Sequence, residues 1–153
     1  MRYAYREMSV DNRERLMSAL LKNKKGILFF EGPSGSGKSL LLADMLKVNG
    51  ISKRFLNEEF TELLIEKMRC SQSYNMAIKE MIKQLKCFKI IGIEDVDFQT
   101  GKPATLKCIA EIVNTLSEDK LIIFTGINMK TRVPELIDKV KMSKFIYFER
   151  IKR

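Results

Sequence analysis

The sequence is 153 residues long, 45% hydrophobic and 31% charged, with a formal net charge of +9 and no histidine. A chain of this length makes one domain, residues 1–153, with a core that needs no staples, and the missing histidine excludes Ser-His and Cys-His nucleophiles and His-ligated zinc or iron. No apolar run is long enough to span a bilayer, and Met1-Arg2-Tyr3 opens no signal-peptide core, so the sequence predicts a cytoplasmic protein with no membrane partner.

Residues 11–22 read as a helix, with Leu16 and Leu20, and Met17 and Leu21, at i, i+4 spacing and Ser9 as the cap. Residues 26–31 (GILFFE) form a continuous apolar run, the mark of a strand buried on both faces. A helix over 38–48 follows, carrying Leu41, Leu42, Met45 and Leu46, and then a shorter strand over 51–56. Residues 58–69 and 74–86 both show helical periodicity and are separated near Ser71-Gln72-Ser73. A buried strand over 88–93 leads into a loop over 95–103, a helix over 104–116, a strand over 121–125, a short helix over 134–140 and a last strand over 144–148. Five strands alternating with helices predict a three-layer αβα sandwich around a five-stranded parallel sheet. Cys70, Cys87 and Cys108 are odd in number and widely spaced, and read as reduced thiols near apolar faces.

Basic residues gather at the amino end (Arg2, Arg6, Arg13, Arg15, Lys22, Lys24, Lys25), over 79–89, and over 139–153. This excess favours polyanionic partners and predicts salt-dependent, non-specific DNA binding. A solvated lysine-rich surface explains it equally well, because no stacking-aromatic pattern or recognition motif accompanies the charge.

Gly32-Pro33-Ser34-Gly35-Ser36-Gly37-Lys38-Ser39 matches the phosphate-loop pattern G-x-x-x-x-G-K-[ST] at every fixed position. Glycines let the backbone wrap so that successive N–H groups face phosphate oxygens, and the following helix, through Leu40, adds its unpaired first-turn amides and positive dipole end. Lys38 is placed to reach the β- and γ-phosphates of a nucleoside triphosphate, and the Ser39 hydroxyl to ligate Mg²⁺. The motif stands between a buried strand and an amphipathic helix, which is the context it requires.

Ile90-Ile91-Gly92-Ile93-Glu94-Asp95 is an apolar strand ending in two carboxylates. At the carboxyl end of a neighbouring strand, Glu94 and Asp95 would hold the metal ion and orient or deprotonate an attacking water, with Asp97 a third candidate. The next strand ends Thr125-Gly126-Ile127-Asn128, where Thr125 and Asn128 are candidates for touching the γ-phosphate and that water, or serve as plain turn residues.

Taken with Arg54-Phe55-Leu56-Asn57-Glu58-Glu59-Phe60, Ile93-Glu94-Asp95-Val96-Asp97-Phe98 and Ile122-Ile123-Phe124-Thr125, this order of elements resembles the AAA+ ATPase core of the bacterial replication initiator DnaA and the helicase loaders, over about residues 25–148. The resemblance implies a sheet in the order 5-1-4-3-2, ATP and Mg²⁺ as cofactors, and partners among replication proteins (an initiator, a helicase or a second copy of the chain). It implies Lys38 and Ser39 as phosphate and metal residues, Glu94 and Asp95 as the Walker B pair, residues 125–128 as the sensor 1 region, and adenine near Tyr3, Tyr5 or Val10. The sequence departs from the family in Glu94, where aspartate is usual, and in Asp138-Lys139-Val140-Lys141-Met142-Ser143-Lys144-Phe145, where lysines stand in the stretch that carries the arginine finger. Lysine lacks the planar fork that stabilises a transferring phosphoryl group. The sequence stops just past the last strand, so the family's helical lid and DNA-reading domain are not expected in it. These departures imply binding of adenine nucleotide with weak ATPase activity. Gly-Pro-Ser-Gly-Ser-Gly-Lys-Ser-Leu-Leu-Leu is also similar to ABC transporter ATPases and guanylate kinases. No LSGGQ-like signature supports the first, and no arginine-rich lid supports the second. A non-hydrolysing, nucleotide-dependent partner-binding module and a small nucleotide kinase remain the alternatives.

Overall fold

Two apolar strands, β2 (Gly26–Glu31) and β5 (Leu121–Gly126), pair in parallel along their whole lengths, Gly26 opposite Leu121 and Glu31 opposite Gly126. The computed structural model describes residues 1–96 and 103–151. On one side of this pair β4 (Ile90–Glu94) and then β3 (Ser52–Leu56) continue the sheet, and on the other β6 (Ser143–Phe148) and then β1 (Arg2–Tyr3) complete it. Every pairing is parallel, so each strand delivers its carboxyl end to the same edge.

Side-chain alternation divides the core into two layers. Ile27, Phe29, Phe55, Ile91, Ile93, Ile122 and Phe124 face α3 (Asn57–Cys70), α4 (Tyr74–Leu85) and α5 (Pro103–Leu116). Leu28, Phe30, Ile90, Leu121, Ile123, Ile146 and Phe148 face α1 (Val10–Leu21) and α2 (Lys38–Val48). The central strands β2, β4 and β5 are almost wholly apolar because both their faces are covered, and each fully buried Leu, Ile or Phe contributes about 1.5–3 kcal/mol. The result is a three-layer αβα sandwich. Caps fix the helix starts: Ser9 Oγ accepts from Asn12 N at 3.2 Å, Ser73 Oγ from Met76 N at 3.3 Å, and Glu59 Oε1 accepts Leu56 N at 3.0 Å ahead of α3.

The sheet has six strands instead of the expected five, in the order β1-β6-β2-β5-β4-β3, so its order differs from 5-1-4-3-2 by the edge strand. Two residues are too few to show a period-2 pattern, and β1 exists because Arg2 and Tyr3 find partners in Tyr147 and Phe148, with Glu149 N donating to Tyr3 O at 2.9 Å. The short helix expected over 134–140 ends sooner, as α7 (Pro134–Ile137), and is preceded by one turn, α6 (Met129–Arg132), that no periodicity announced. Asp97 and most of the loop expected over 95–103 lie outside the described residues. Of the three thiols, Cys70 and Cys87 are exposed and Cys108 half-buried; all are free, and burial pushes the Cys108 thiol above its ordinary value, with Glu111 adding to the effect. Among the described residues no helix is long and apolar enough to cross a membrane.

A 3₁₀ turn at Tyr5–Glu7 anchors the amino end to this frame. The Tyr5 ring is buried under the Arg13 guanidinium, 4.9 Å from the ring centroid, and its hydroxyl donates to Asp44 Oδ2 at 2.7 Å. Burial first, and then the hydrogen bond and charge of Asp44, raise the Tyr5 phenol above its ordinary 10.0. Below that value the phenol is protonated whether the chain is folded or not, and above it the unfolded chain loses the proton first. Stability measured by urea denaturation is therefore expected to fall as pH rises past 10.0. Tyr5→Phe should flatten that alkaline fall while costing about 1 kcal/mol at neutral pH.

Candidate nucleotide-binding site

The chain leaves β2 at Glu31 and must turn at once, because Gly32 runs against the end of β6. A Cβ on Gly32 would lie 2.6 Å from the Phe148 carbonyl oxygen and 2.8 Å from the Phe148 Cβ. Ser36 N closes the turn on Pro33 O at 3.2 Å. Gly35 and Gly37 have φ of +78° and +100°, in the left-handed region where a side chain is strained. Gly37 is the N-cap of α2, and Leu41 N donates to its carbonyl at 3.0 Å, so the first-turn amides of α2 open onto the loop.

Lys38 is 8% exposed, and its ammonium donates to Gly32 O and, at 3.0 Å, to Pro33 O. The Ser36 hydroxyl is buried and meets no hydrogen-bond partner among the described residues. A ring of backbone with a lysine folded inside it, at the start of a helix, is a cradle suited to an anion.

A cleft of about 510 Å³ lies over the loop, lined by Ser34, Gly35, Gly37, Lys38, Ser39, Leu40, Arg6, Asp95 and Ile127. Gly32 and Pro33 line a neighbouring cleft, and Ser36 points into the protein. The two carboxylates that end β4 part company. Asp95 takes φ of +61° and turns into the loop cleft, its N–H donating to Thr125 Oγ1 at 3.3 Å. Glu94 is 1% exposed and does not line the cleft; its Oε2 accepts from Nε and Nη2 of Arg54 on β3, while Oε1 has no partner among the described residues.

The end of β5 divides in a similar way. Thr125 is buried and ties down the acidic turn, its hydroxyl accepting from Asp95 N and its carbonyl from Val96 N at 3.1 Å. Asn128, at φ +52°, is exposed on the neighbouring cleft and not on the loop cleft. Its N–H and that of Met129 donate to Glu31 Oε2 and Oε1 at 2.9 and 2.8 Å, so Glu31 caps α6 from the residue just before the loop.

No family model and no curated protein matches the chain. Solved structures do. The chain is similar to domain III of the Thermotoga maritima replication initiation protein DnaA, at 20% identity and TM-score 0.69, over 96% of this chain and 67% of that one. It is similar to the replication initiator DnaA bound to AMPPCP and single-stranded DNA, at 19% identity and TM-score 0.71, over 97% and 50%. It is similar to the DnaC helicase loader, at 15% identity and TM-score 0.62, over 92% of each chain. The fold is the one shared by DnaA domain III and the DnaC helicase loader. The chain spans about half the length of the first initiation structures that it matches, 49% in one case.

Within this fold the residues that sequence reasoning passed over are mostly arginines. Of the amino-terminal segment, Arg6 lines the loop cleft, whereas Tyr5 is buried and Val10 is 70% exposed. Arg6 Nη1 donates to Gly35 O at 3.4 Å, and Arg150 Nη1 lies 3.7 Å from where a Gly35 Cβ would stand. Both are members of basic runs in the sequence, and only the β1–β6 pairing shows that the two ends of the chain meet at the loop. Arg54 carries a weak signal, as a cation on an otherwise short strand two residues before Leu56, the register partner of Glu94.

Two expectations follow for the loop and the acidic strand end. Gly32→Ala should lower stability in urea by about 1–3 kcal/mol, because the backbone of Phe148 has to move. Arg54→Ala strips Glu94 of its partner and should cost about 1–3 kcal/mol, the exposure of half the arginine holding the loss in this range. In a Glu94→Gln background the loss should shrink, which a double-mutant cycle measures.

Proposed function

We propose that this chain binds ATP with Mg²⁺ through residues 32–39 and serves as an AAA+ module in DNA replication initiation, with weak ATPase activity. The loop carries the reading: glycines at positive φ, the α2 amino terminus and the enclosed Lys38 converge on one small volume. Gly35, Gly37, Lys38, Ser39 and the amides that follow through Leu40 would hold the phosphates, with Gly32, Pro33, Ser34 and Ser36 shaping the turn. The donor set suits magnesium, since Ser39 offers a hydroxyl and Asp95 a carboxylate at the same cleft, both hard oxygen ligands. When bound, Mg²⁺ supplies charge neutralisation between the phosphate oxygens.

The acidic pair supports slow turnover. Asp95 stands where it would orient a water at the loop cleft. Glu94, which the family pattern makes the other metal-side carboxylate, is engaged by Arg54 on the far side of β4's end. Lys139 and Lys141 before β6, and Lys144 at its start, stand in place of an arginine, so a neighbouring copy would lend a point charge and not a fork. Asn128 would have to act from across the loop, through Ile127, which borders both clefts. The similarity to an initiator bound to AMPPCP and single-stranded DNA, and to a helicase loader, supports adenine nucleotide, replication proteins and DNA as partners. A non-hydrolysing switch that docks such partners is the second reading, favoured by the Arg54–Glu94 pair.

Calorimetric titration with ATP, ADP and GTP, with and without Mg²⁺, tests the proposal. ATP is expected to bind more tightly than GTP and to need the metal. Lys38→Ala should weaken binding by about 10- to 100-fold, equivalent to losing about 1.5–3 kcal/mol of charged hydrogen bonding. Equal binding by Lys38→Ala overturns the site, and phosphate transfer to a nucleoside monophosphate in a coupled assay would replace the reading with a nucleotide kinase.

A further inference from the structure

Behind the phosphate loop, on the α5 side of the sheet, lies the neighbouring cleft of about 410 Å³, walled by β6, α6, β1 and the start of the loop. Its floor is aromatic. A stacked series runs outward from the core, Phe124 to Phe29 at 5.1 Å, Phe29 to Phe145 at 4.8 Å and Phe145 to Tyr147 at 5.9 Å between centroids, with the rings of the last pair 21° from parallel. The inner two rings are buried, and Phe145 and Tyr147 are half-buried at the cleft. Lys130 stands over this platform, its Nζ 4.5 Å from the Phe145 centroid and 3.3 Å from the Tyr147 hydroxyl, and Arg2, the strand-register partner of Tyr147, lines the same cleft. The carboxylate in the cleft, Glu31, is spent on the two N–H groups at the start of α6. Its charge is therefore set against a helix amino terminus, and Arg2 and Lys130 dominate the field.

We propose that this cleft binds single-stranded nucleic acid, a base stacking on Tyr147 and its flanking phosphates pairing with Lys130 and Arg2. Flat, partly exposed rings beside flexible cations are the combination that holds unpaired strands without reading their sequence. A duplex presents no free base face, and an acidic peptide would use the cations and leave the rings idle. Lys130 covers Phe145 in a contact of the exposed kind, weak enough to be exchanged for a phosphate as the base comes in. The inference deepens the replication reading and rests on it for the class of polymer. It does not rest on nucleotide binding, since only Gly32 and Pro33 are common to the loop and this cleft. It also shows why the sequence hid the site: Phe145 and Tyr147 lie in one strand, but their cations come from a single helical turn and from the far end of the chain.

The test is fluorescence anisotropy of a labelled oligothymidylate of about 15 nucleotides. Wild-type protein should bind it with an affinity that falls as salt rises, and unlabelled single strand should compete better than duplex of the same length; oligouridylate as competitor tells RNA from DNA. Tyr147→Ala should weaken binding at least about fivefold, while Tyr147→Phe, which keeps the ring, should restore it. Lys130→Glu should weaken binding and lower the salt slope by about one. Lys22→Glu, an exposed change on the α1 side of the sheet, should have a much smaller effect. Lys38→Ala should bind the oligonucleotide as the wild type does, so that loss of nucleotide binding and loss of this site are read separately. Wild-type affinity in both Tyr147→Ala and Lys130→Glu, equal competition by duplex, an equal loss in Lys22→Glu, or no binding by the wild-type protein would each overturn the proposal.

Discussion

The close approach of Gly32 to the end of β6 sets the geometry on which the rest of this structure depends. β2 is paired on both sides, to β5 and to β6, and all three strands end at one edge of the sheet. With Phe148 occupying the space ahead of Gly32, the chain has to fold back over the edge instead of running on. That reversal wraps Pro33 to Gly37 into the loop and aims the amino terminus of α2 along the turn. β1 reinforces it from outside, since pairing with Tyr147 and Phe148 brings Tyr5 and Arg6 over Gly37, whose missing Cβ would stand 3.0 Å from Tyr5 and 3.1 Å from Arg6. The same backbone contact therefore shapes the loop from beneath while the amino end closes it from above.

Charge at this edge is arranged so that the buried Glu94 and the half-buried Glu31 each have a structural task. Glu31 caps α6, and Glu94 is held by Arg54. A buried carboxylate without a partner is costly, so Glu94 would be destabilising if left unpaired. Asp95 differs in exposure: at φ +61° it leaves the strand direction, so its side chain emerges into solvent-accessible space over the loop while Thr125 secures its amide. Aspartate tolerates that conformation better than most residues. The acidic end of β4 thus separates one buried and one accessible carboxylate by a single backbone turn, which argues for one residue acting at the phosphate cleft and the other acting through Arg54.

The legible parts of the sequence are those set by local periodicity or by a contiguous motif. GILFFE and LIIFT are apolar without interruption because both their faces are covered, and the helices announce themselves by i, i+4 spacing and by Ser9 and Ser73 at their starts. The phosphate loop is contiguous, so its chemistry can be read in one line. What escaped depends on contacts between distant positions. Arg2–Tyr3 becomes a strand only when β6 lies beside it, Arg6 reaches Gly35 across 29 residues, and Arg54 meets Glu94 across 40. The sequence showed no stacking-aromatic pattern among its cations because Phe145 and Tyr147 acquire Lys130 and Arg2 only through the fold.

The two clefts share a wall, and the wall is stiff. Glu31, Gly32 and Pro33 separate the loop from the aromatic floor, and Ile127 borders both spaces. On one side Lys38 grips the carbonyls of Gly32 and Pro33; on the other Glu31 grips the first amides of α6, the helix that carries Lys130. An anion that draws Lys38 away from those carbonyls removes one restraint on the Gly32–Pro33 segment while leaving Glu31 and Phe148 in place. The restraints are in this way divided, with Lys38 and Phe148 acting on Gly32 and Pro33, and Glu31 acting on α6. Such a division favours sites that work side by side on one rigid edge, with the strand ends as the common reference, over a hinge that opens one site when the other fills.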